Sequence, residues 1–338
     1  MKTMIKIAAL AAASACIIAC NKMNEPKVEA ESQLPDKVLT KGYGDKTPVM
    51  AVYVETNDVN PLNAGDYSMG DGTTFIDILE LFASNIHKET MDDGEVRPTL
   101  YLNPELTPVL EGNGVNTYVR PLQGLGMKVL LTVLGDWQGI GVANMTNTQA
   151  DQFATILAYA VERYGLDGIG FDDEYANYPS GSVNNTSYTR IITKLHELMP
   201  SDKLITVFDW GYTDTIDESQ ACPCIDYVYH GYFGAYLATP GLCGLKAKWS
   251  PVSFNLGNYV STSDAEDYAR QAKEGGYGAM MCFNLRPRNE RDALPVFQAM
   301  ARGAYDGLGV ICTDGNKPRN AGTVSGGFTI TYDMATAE

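Results

Sequence analysis

Short apolar runs alternate with longer amphipathic segments over most of the chain. The apolar runs have the length and composition of buried β-strands, and a repeated order of strand and helix predicts a parallel sheet. Eight strands are predicted, over residues 48–55, 76–86, 128–133, 168–172, 204–208, 227–232, 252–255 and 279–283. This number of strands in one α/β domain is typical of a (β/α)8 TIM-type barrel.

Helical periodicity separates several of these strands. It predicts helices over residues 104–125, 148–164, 187–199, 263–275 and 293–305. Other gaps are too short or too irregular, as between Phe208 and Tyr227, where glycine, proline and cysteines interrupt the pattern. We therefore expect an irregular barrel that lacks some outer helices and has its active site at the carboxyl ends of the strands. A doubly wound open sheet is the alternative fold, but no glycine-rich phosphate loop follows the first strand.

The chain begins with the features of an export signal. Lys2 and Lys6 precede an apolar stretch, residues 7–19, that is too short for a permanent membrane-spanning helix. The run Ile-Ile-Ala before Cys20 is similar to a bacterial lipobox, which predicts a signal peptide over residues 1–19 and lipidation of Cys20. An ordinary secretory signal is the alternative. We expect an exported bacterial lipoprotein, attached at the cell surface or in the periplasm by its lipid anchor alone.

Composition divides the rest of the chain into three regions. Residues 20–46 are rich in Glu, Lys, Pro, Ser and Gly, so they cannot bury enough apolar surface to become ordered and are predicted to form a flexible tether. Residues 47–308 carry all the predicted strands and have a suitable length for one barrel. Residues 309–338 contain a strand-like run after a polar segment, and the sequence leaves their packing open.

Charge and histidine content narrow the class of ligand. The formal net charge of −16 argues against nucleic acid and against anionic substrates, and favours a neutral substrate such as a sugar. The histidines are His87, His196 and His230, and they form no ligand-spaced cluster. We therefore expect no metal and no cofactor.

The cysteines beyond Cys20 are odd in number. They are Cys222, Cys224, Cys243, Cys282 and Cys312. The close pair Cys222 and Cys224 is a weak signal for a metal or redox site, because no Cys/His cluster accompanies it. A loop disulfide or free thiols are the favoured interpretations.

The most informative segment is residues 166–175, Leu-Asp-Gly-Ile-Gly-Phe-Asp-Asp-Glu-Tyr, at the end of the fourth predicted strand. Side chains alternate faces along a strand, so Gly170, Asp172 and Glu174 share one face. With the apolar residues between them packed outward, two carboxylates face the barrel mouth, where they push each other's pKa apart. The alternative is a helix N-terminus with acidic residues satisfied by backbone amides, a role that Asp173 could take in either case.

These residues carry a family resemblance. Asp167 to Glu174 is similar to the D-G-x-D-x-D-x-E signature of glycoside hydrolase family 18. The stretches VLLTVLGDWQG, YGLDG, FDDEYA and EGGYG extend the likeness to the endo-β-N-acetylglucosaminidase branch that includes endoglycosidases H and F1, over roughly residues 47–305. The resemblance implies hydrolysis of the GlcNAc-β-1,4-GlcNAc bond in the chitobiose core of N-glycans, with high-mannose or hybrid glycans as the expected substrates.

The resemblance also implies the roles of the acids. In this family the acetamido oxygen of the substrate is the nucleophile, in a retaining reaction. By resemblance, Glu174 protonates the glycosidic oxygen and later activates water, while Asp172 orients and polarises the acetamido N–H. Gly170 is a departure, because the family has an aspartate there that lies beneath the two acids and interacts with the central one. We expect this loss to alter the pKa of Asp172, with lower activity or a substituting water.

Other side chains that follow the predicted strands are candidates for substrate binding. They are Asp136 and Gln138 after the third strand, Asp209 and Trp210 after the fifth, Tyr229 and Tyr232 at the sixth and Asn284 after the eighth. By resemblance, Tyr232 is the candidate for a hydrogen bond to the acetamido carbonyl. Core packing is the alternative for each aromatic side chain.

Two other functions fit parts of this pattern. The loss of the aspartate at Gly170 would suit a catalytically weak or inactive glycan-binding lipoprotein. A chitinase of the same family would act on linear polymers of N-acetylglucosamine. The spacing between the late strands leaves no room for the large insertion that deepens many chitinase clefts, which favours a branched glycan.

Overall fold

Each of the eight predicted strands has a counterpart in the computed structural model, which contains five further strands. The structure describes residues 46–337, so the predicted signal peptide, Cys20 and all of the tether before Lys46 lie outside the described residues. The strands are β1 (Val49–Glu55), β2 (Tyr67–Met69), β3 (Ile78–Thr90), β4 (Val96–Leu102), β5 (Lys128–Gly135), β6 (Gly168–Asp172), β7 (Leu204–Asp209), β8 (Tyr227–His230), β9 (Trp249–Ser250), β10 (Ser253–Asn255), β11 (Ala279–Phe283), β12 (Val310–Cys312) and β13 (Phe328–Ile330). The five further strands are β2, β4, β9, β12 and β13.

Nine of these strands form the barrel wall in the order β10-β11-β1-β3-β5-β6-β7-β8-β9. Every pairing along this path is parallel. Only residues 251–252 separate β9 from β10 in the chain, so these two short strands together take the seventh barrel position and bring the ends of the sheet together. The predicted irregular TIM-type barrel is confirmed.

The helices are α1 (Thr107–Leu110), α2 (Arg120–Gly124), α3 (Asn147–Tyr164), α4 (Ser187–Leu198), α5 (Glu218–Ala221), α6 (Thr262–Glu274), α7 (Leu294–Ala304) and α8 (Tyr332–Thr336). Of the five predicted helices, the last four correspond to α3, α4, α6 and α7, with ends that differ by one residue at most. Between β7 and β8 lie only a 3-10 turn, Thr213–Thr215, and the four-residue α5. The outer layer is therefore incomplete there, as expected.

The single helix predicted over residues 104–125 is wrong. The segment contains α1, a π-helical stretch (Val115–Val119) and α2. Gly112 adopts a φ of 60°, which is left-handed and ends α1. Pro121 lies at the start of α2, where its ring fits the first turn of a helix but would break a continuous one.

Alternation along the strands divides the core into two layers. Ile169 and Phe171 face outward, as predicted, and are fully buried in the large cluster that includes the helices. The opposite faces of the strands form a second cluster in the barrel interior. Its buried members are Val49, Ala51, Tyr53, Ile78, Leu130, Leu204, Phe208, Tyr227, Tyr229, Ala279 and Met281.

The C-terminal extension packs on the barrel through strands, which answers the question that the sequence left open. Strand β13 pairs antiparallel with β4, which in turn pairs with the long outer end of β3, and β12 pairs antiparallel with β2. The guanidinium of Arg319 also donates to the carbonyl of Thr56 across 2.7 Å. Among the cysteines, Cys222 and Cys243 form a disulfide, whereas Cys224, Cys282 and Cys312 are free thiols.

Candidate active site

A cavity of about 400 Å³ opens at the carboxyl ends of the barrel strands. Asp172, the last residue of β6, and the following Glu174 both line it. The other lining residues are Tyr53, Glu55, Phe82, Tyr175, Phe208, Trp210, Gly231, Phe233, Met281 and Phe283. The predicted position of the acidic pair, inside the mouth of the barrel, is therefore the position that the structure shows.

Backbone hydrogen bonds fix the chain around Glu174. The amide of Gly135, at the end of β5, donates to the carbonyl of Glu174 across 2.9 Å, and the amide of Trp137 donates to the carbonyl of Tyr175 across 2.6 Å. Trp137 and Tyr175 have φ values of 56° and 57°, in the left-handed region that non-glycine residues rarely adopt. Such conformations cost energy, and in proteins they are concentrated at functional sites.

The environment of the two acids raises the pKa of each. Burial is the main cause for Asp172, whose pKa is raised well above its usual range, and the charges of Glu174, Asp173 and Glu80 add to the effect. Glu174 is half-buried, and burial followed by the charge of Asp173 raises its pKa. Glu174 therefore holds its proton to a higher pH than an exposed glutamate, as a general acid requires. Oδ1 of Asp172 is buried and has no hydrogen-bond partner within residues 46–337.

Asp173 is buried beside the pair without being a helix cap. Its carboxylate accepts hydrogen bonds from the Tyr178 hydroxyl across 2.5 Å and from the amide of Tyr212 across 2.9 Å. The segment after β6 is a loop, and α4 begins only at Ser187. The alternative of a helix N-terminus at the acidic segment is therefore wrong, since Asp173 instead holds the loops after β6 and β7 together.

The space beside Gly170 is occupied. A Cβ at position 170 would lie 2.4 Å from Oε2 of Glu80, a fully buried glutamate on β3. A carboxylate from another strand thus lies where the side chain of residue 170 would be. The hypothesis of a water at this point does not fit the space next to Gly170.

The structure brings Trp210 to the acidic pair, whereas Asp209 and Tyr232 do not line the cavity of the acids. Trp210 lines the cavity of the acids and also a second cavity of about 590 Å³, which Asp209 and Tyr232 line. The Tyr232 ring is 60% exposed and lies edge-on to Trp210, with ring centroids 5.6 Å apart. Asp209 accepts hydrogen bonds from the Thr213 hydroxyl and from the amide of Leu242, so its carboxylate joins two loops.

The remaining candidates lie outside the cavity lining. Tyr229 is fully buried in the barrel interior, the position that the alternative of core packing describes. Asp136 lies 2.7 Å from Nε2 of His87, which engages its carboxylate. Gln138 is exposed on the loop after β5, and Asn284 is half-buried after β11 with its Oδ1 unpartnered among the described residues.

Comparisons with known proteins decide the family. No family model matches the chain. An endo-β-N-acetylglucosaminidase of Flavobacterium sp. (strain SK1022) is 32% identical over 266 residues, which cover 76% of this chain and 81% of that protein. Endo-β-N-acetylglucosaminidase F1 of Elizabethkingia meningoseptica is 32% identical over 270 residues, which cover 75% and 77%. The chain belongs to the endo-β-N-acetylglucosaminidases. It is a glycoside hydrolase of the family 18 type, as its signature predicts.

Solved structures agree with this family. The enzyme is similar to EndoBT-3987 of Bacteroides thetaiotamicron, crystallised with a Man5GlcNAc product, at a TM-score of 0.69 and 29% identity over 82% of this chain and 66% of that one. EndoBT-3987 in complex with a Man9GlcNAc2Asn substrate gives a TM-score of 0.69 and 28% identity over 82% and 72%. A chitinase from Bacteroides thetaiotaomicron, at 12% identity and a TM-score of 0.52, shares the fold.

Sequence reasoning missed Glu55 and most of the apolar residues that line the cavity of this endo-β-N-acetylglucosaminidase. Glu55 and Phe283 are the last residues of β1 and β11, and the rule that barrel active sites lie at the carboxyl ends of strands could have found both. Phe82 and Phe233 had a weaker signal, because the former lies within a long apolar strand and the latter in a loop. Glu80 had a clear sequence signal, because it is a charged residue inside an apolar run.

Within residues 46–337, no group of three or more His, Cys, Asp or Glu side chains could hold a metal ion. In the same part of the chain, no helix has the length and apolar character to cross a membrane.

Proposed function

We propose that this enzyme hydrolyses the β-1,4 bond between the two N-acetylglucosamines at the base of N-linked glycans of the high-mannose or hybrid type. The observation that carries the proposal is the pair Asp172 and Glu174 in one cavity at the barrel mouth. Two relatives are named endo-β-N-acetylglucosaminidases, which supports this reaction. EndoBT-3987 has been crystallised with Man9GlcNAc2Asn and with Man5GlcNAc.

The chemistry follows from the state of each acid. Glu174 donates its proton to the glycosidic oxygen while the acetamido oxygen of the substrate attacks the anomeric carbon and the bond to the leaving sugar breaks. Oδ1 of Asp172, which has no partner among the described residues, is available to accept the hydrogen bond of the acetamido N–H. Water then attacks the anomeric carbon of this cyclic intermediate, and the bond from that carbon to the acetamido oxygen breaks and restores the acetamido group. Glu174 takes a proton from the water, and the product retains the β configuration.

The cavity wall suits a sugar ring. Phe82, Phe283, Phe233 and Trp210 give the cavity apolar faces, against which the C–H faces of pyranose rings pack, and the carboxylates supply directed polar contacts. The Phe233 ring lies between those of Phe208 and Phe283, with centroids 5.9 and 5.6 Å away, so this wall is packed in place.

The reaction is tested on a high-mannose glycoprotein followed by intact-mass spectrometry. The protein lacking the residues before Lys27 is expected to leave a single N-acetylglucosamine on each asparagine, and Glu174→Gln is expected to leave the full glycan. Chitin oligomers, incubated in parallel, are expected to remain intact. Glycan retention without turnover by the wild type would support a binding protein instead, and preferential cleavage of chitin oligomers would support a chitinase.

We further propose that the enzyme is an exported lipoprotein, attached to the membrane through acyl chains on Cys20. Support comes from the charged and apolar leader and the lipobox-like run before Cys20, which lie outside the described residues. Expression with a radiolabelled fatty acid tests this. Label is expected in the membrane-bound wild type and not in Cys20→Ser, whereas equal labelling of the two would contradict the anchor.

A further inference from the structure

Gly170 leaves room for a group from elsewhere in the barrel. It lies on β6, where its register partners are Thr132 on β5 and Thr206 on β7. Gly170 and Asp172 point to the same face, since they are two residues apart on one strand. The space next to Gly170 is therefore the layer of the barrel interior directly beneath Asp172.

The Glu80 carboxylate fills this layer and is held there from two strands. Thr132 Oγ1 donates to its Oε2 across 3.0 Å, and Thr206 Oγ1 donates to its Oε1 across 2.6 Å. These threonines are the two register partners of Gly170, so the carboxylate spans the row that Gly170 completes. An ideal Cβ on Gly170 would lie 2.4 Å from Oε2, so a side chain at position 170 and the Glu80 carboxylate, in the conformation that the threonines hold, exclude one another.

The titratable groups on which the charge of Glu80 acts come from three strands. Asp172 on β6 is one, and the charge of Glu80 contributes to raising its pKa. Tyr53 on β1 and Tyr229 on β8 are the others, and their buried hydroxyls have no hydrogen-bond partner within residues 46–337. Burial raises the pKa of Glu80 to about 7, although the two threonines lower it. An ionisable group in an apolar interior is costly, so a structural role alone would be met more cheaply by an aliphatic side chain.

We propose that Glu80 is the positioning residue for Asp172, and that it supplies from β3 the carboxylate that a side chain at position 170 would otherwise bring. The inference rests on the proposed function and deepens it. Two features carry it: the mutual exclusion of Glu80 and a residue-170 side chain, and the anchoring of Glu80 by the threonines that flank Gly170. The site then contains three carboxylates in successive layers, at Glu80, Asp172 and Glu174.

Moving the carboxylate from one strand to the other tests the proposal. The wild type is compared with Glu80→Gln, Glu80→Ala and the double variant Glu80→Ala/Gly170→Asp, using a high-mannose glycopeptide over a range of pH. Asp77→Asn is the matched control, since Asp77 is also a buried carboxylate but accepts from the amide of Met50 at the amino ends of the strands. Thermal unfolding shows whether each variant is folded, and the glutamine keeps the shape of the native side chain.

Glu80→Gln is expected to lower kcat about tenfold with KM changed by less than about twofold, because Asp172 is less well oriented. The acidic limb of the kcat profile of Glu80→Gln is expected at lower pH than that of the wild type, since the loss of a neighbouring negative charge lowers the pKa of Asp172. The double variant is expected to recover activity relative to Glu80→Ala, and Asp77→Asn to keep the wild-type profile. If the wild type is active but the Glu80→Gln profile is unchanged, or the double variant is no better than Glu80→Ala, the role of Glu80 is overturned. The proposed function then still stands. An inactive wild type overturns the proposed function and this inference together.

Discussion

The amide of Gly135 donates a hydrogen bond to the carbonyl oxygen of Glu174 across 2.9 Å, and a Cβ at position 135 would lie 2.5 Å from that same oxygen. The end of β5 thus fixes the position of Glu174, the proposed general acid, through backbone contact. No L side chain fits this approach unless the loop after β6 moves, because the atom in the way belongs to the main chain. The position of Glu174 therefore depends on a residue that does not line the cavity.

Gly135→Ala is expected to lower kcat on a glycopeptide about 100-fold, because displacing a catalytic group by an ångström has an effect of this order. The substitution removes neither acidic side chain, so the loss in a folded variant reports on the position of Glu174. Gly124→Ala is the matched control, since a Cβ there meets no atom within 4 Å and the site is an exposed helix end. Equal rates for the two variants would contradict the positioning role of Gly135.

Asp173 is expected to set the alkaline limit of activity through its charge. The reaction needs protonated Glu174, so kcat/KM falls as the pH rises through the pKa of Glu174. Burial and the charge of Asp173 raise that pKa, so Asp173→Asn is expected to lower it and to shift the alkaline limb to lower pH. Asp92→Asn, at an exposed position in the turn after β3, removes the same formal charge and is expected to leave the limb in place. A pH–rate profile checks both, and an unshifted or alkaline-shifted Asp173→Asn profile would refute the assignment.

Trp210 is expected to contribute to substrate binding rather than to chemistry. It lines the cavity of the acids, and its ring packs on Gly231 and against Tyr232. Trp210→Ala is expected to raise KM for a glycopeptide about tenfold with a small change in kcat, as for the loss of an aromatic stacking partner. Ile311→Ala removes an exposed apolar side chain on β12 and serves as the control. Steady-state kinetics measure both constants, and an unchanged KM for Trp210→Ala would exclude a contact between Trp210 and the substrate.

The fold and the acids were predictable because they depend on local alternation. On β6 every second residue packs outward, so Ile169 and Phe171 reveal the face that Asp172 occupies. The position of Tyr229 was harder to predict from this alternation. The strand predicted to run to Tyr232 ends at His230, where the amide of Tyr232 donates to the ring of His230, and Tyr229 stays in the interior. The role of Glu80 depends on the distance between two strands, which no local pattern contains.

The disulfide is expected to stabilise the β8–β9 loop region. Cys222 and Cys243 are 21 residues apart in sequence, and a crosslink over a loop of this length contributes about 3 kcal/mol by restricting the unfolded chain. Leu242, next to Cys243, donates its amide to Asp209 beside Trp210. Cys222→Ser/Cys243→Ser is expected to lower the free energy of unfolding by that amount, measured in denaturant. Cys224→Ser, at a free thiol, is the control, and equal stabilities of the two variants would show that the crosslink contributes nothing.

The anomeric configuration of the first product tests the central claim, substrate-assisted hydrolysis with Glu174 as the acid, most directly. A Man9GlcNAc2Asn glycopeptide is hydrolysed in the NMR tube, and the anomeric proton of the released reducing end is followed before mutarotation. The β anomer is predicted to appear first with the wild type, and no release is predicted with Glu174→Gln. Initial formation of the α anomer, or undiminished release by Glu174→Gln, would contradict the account.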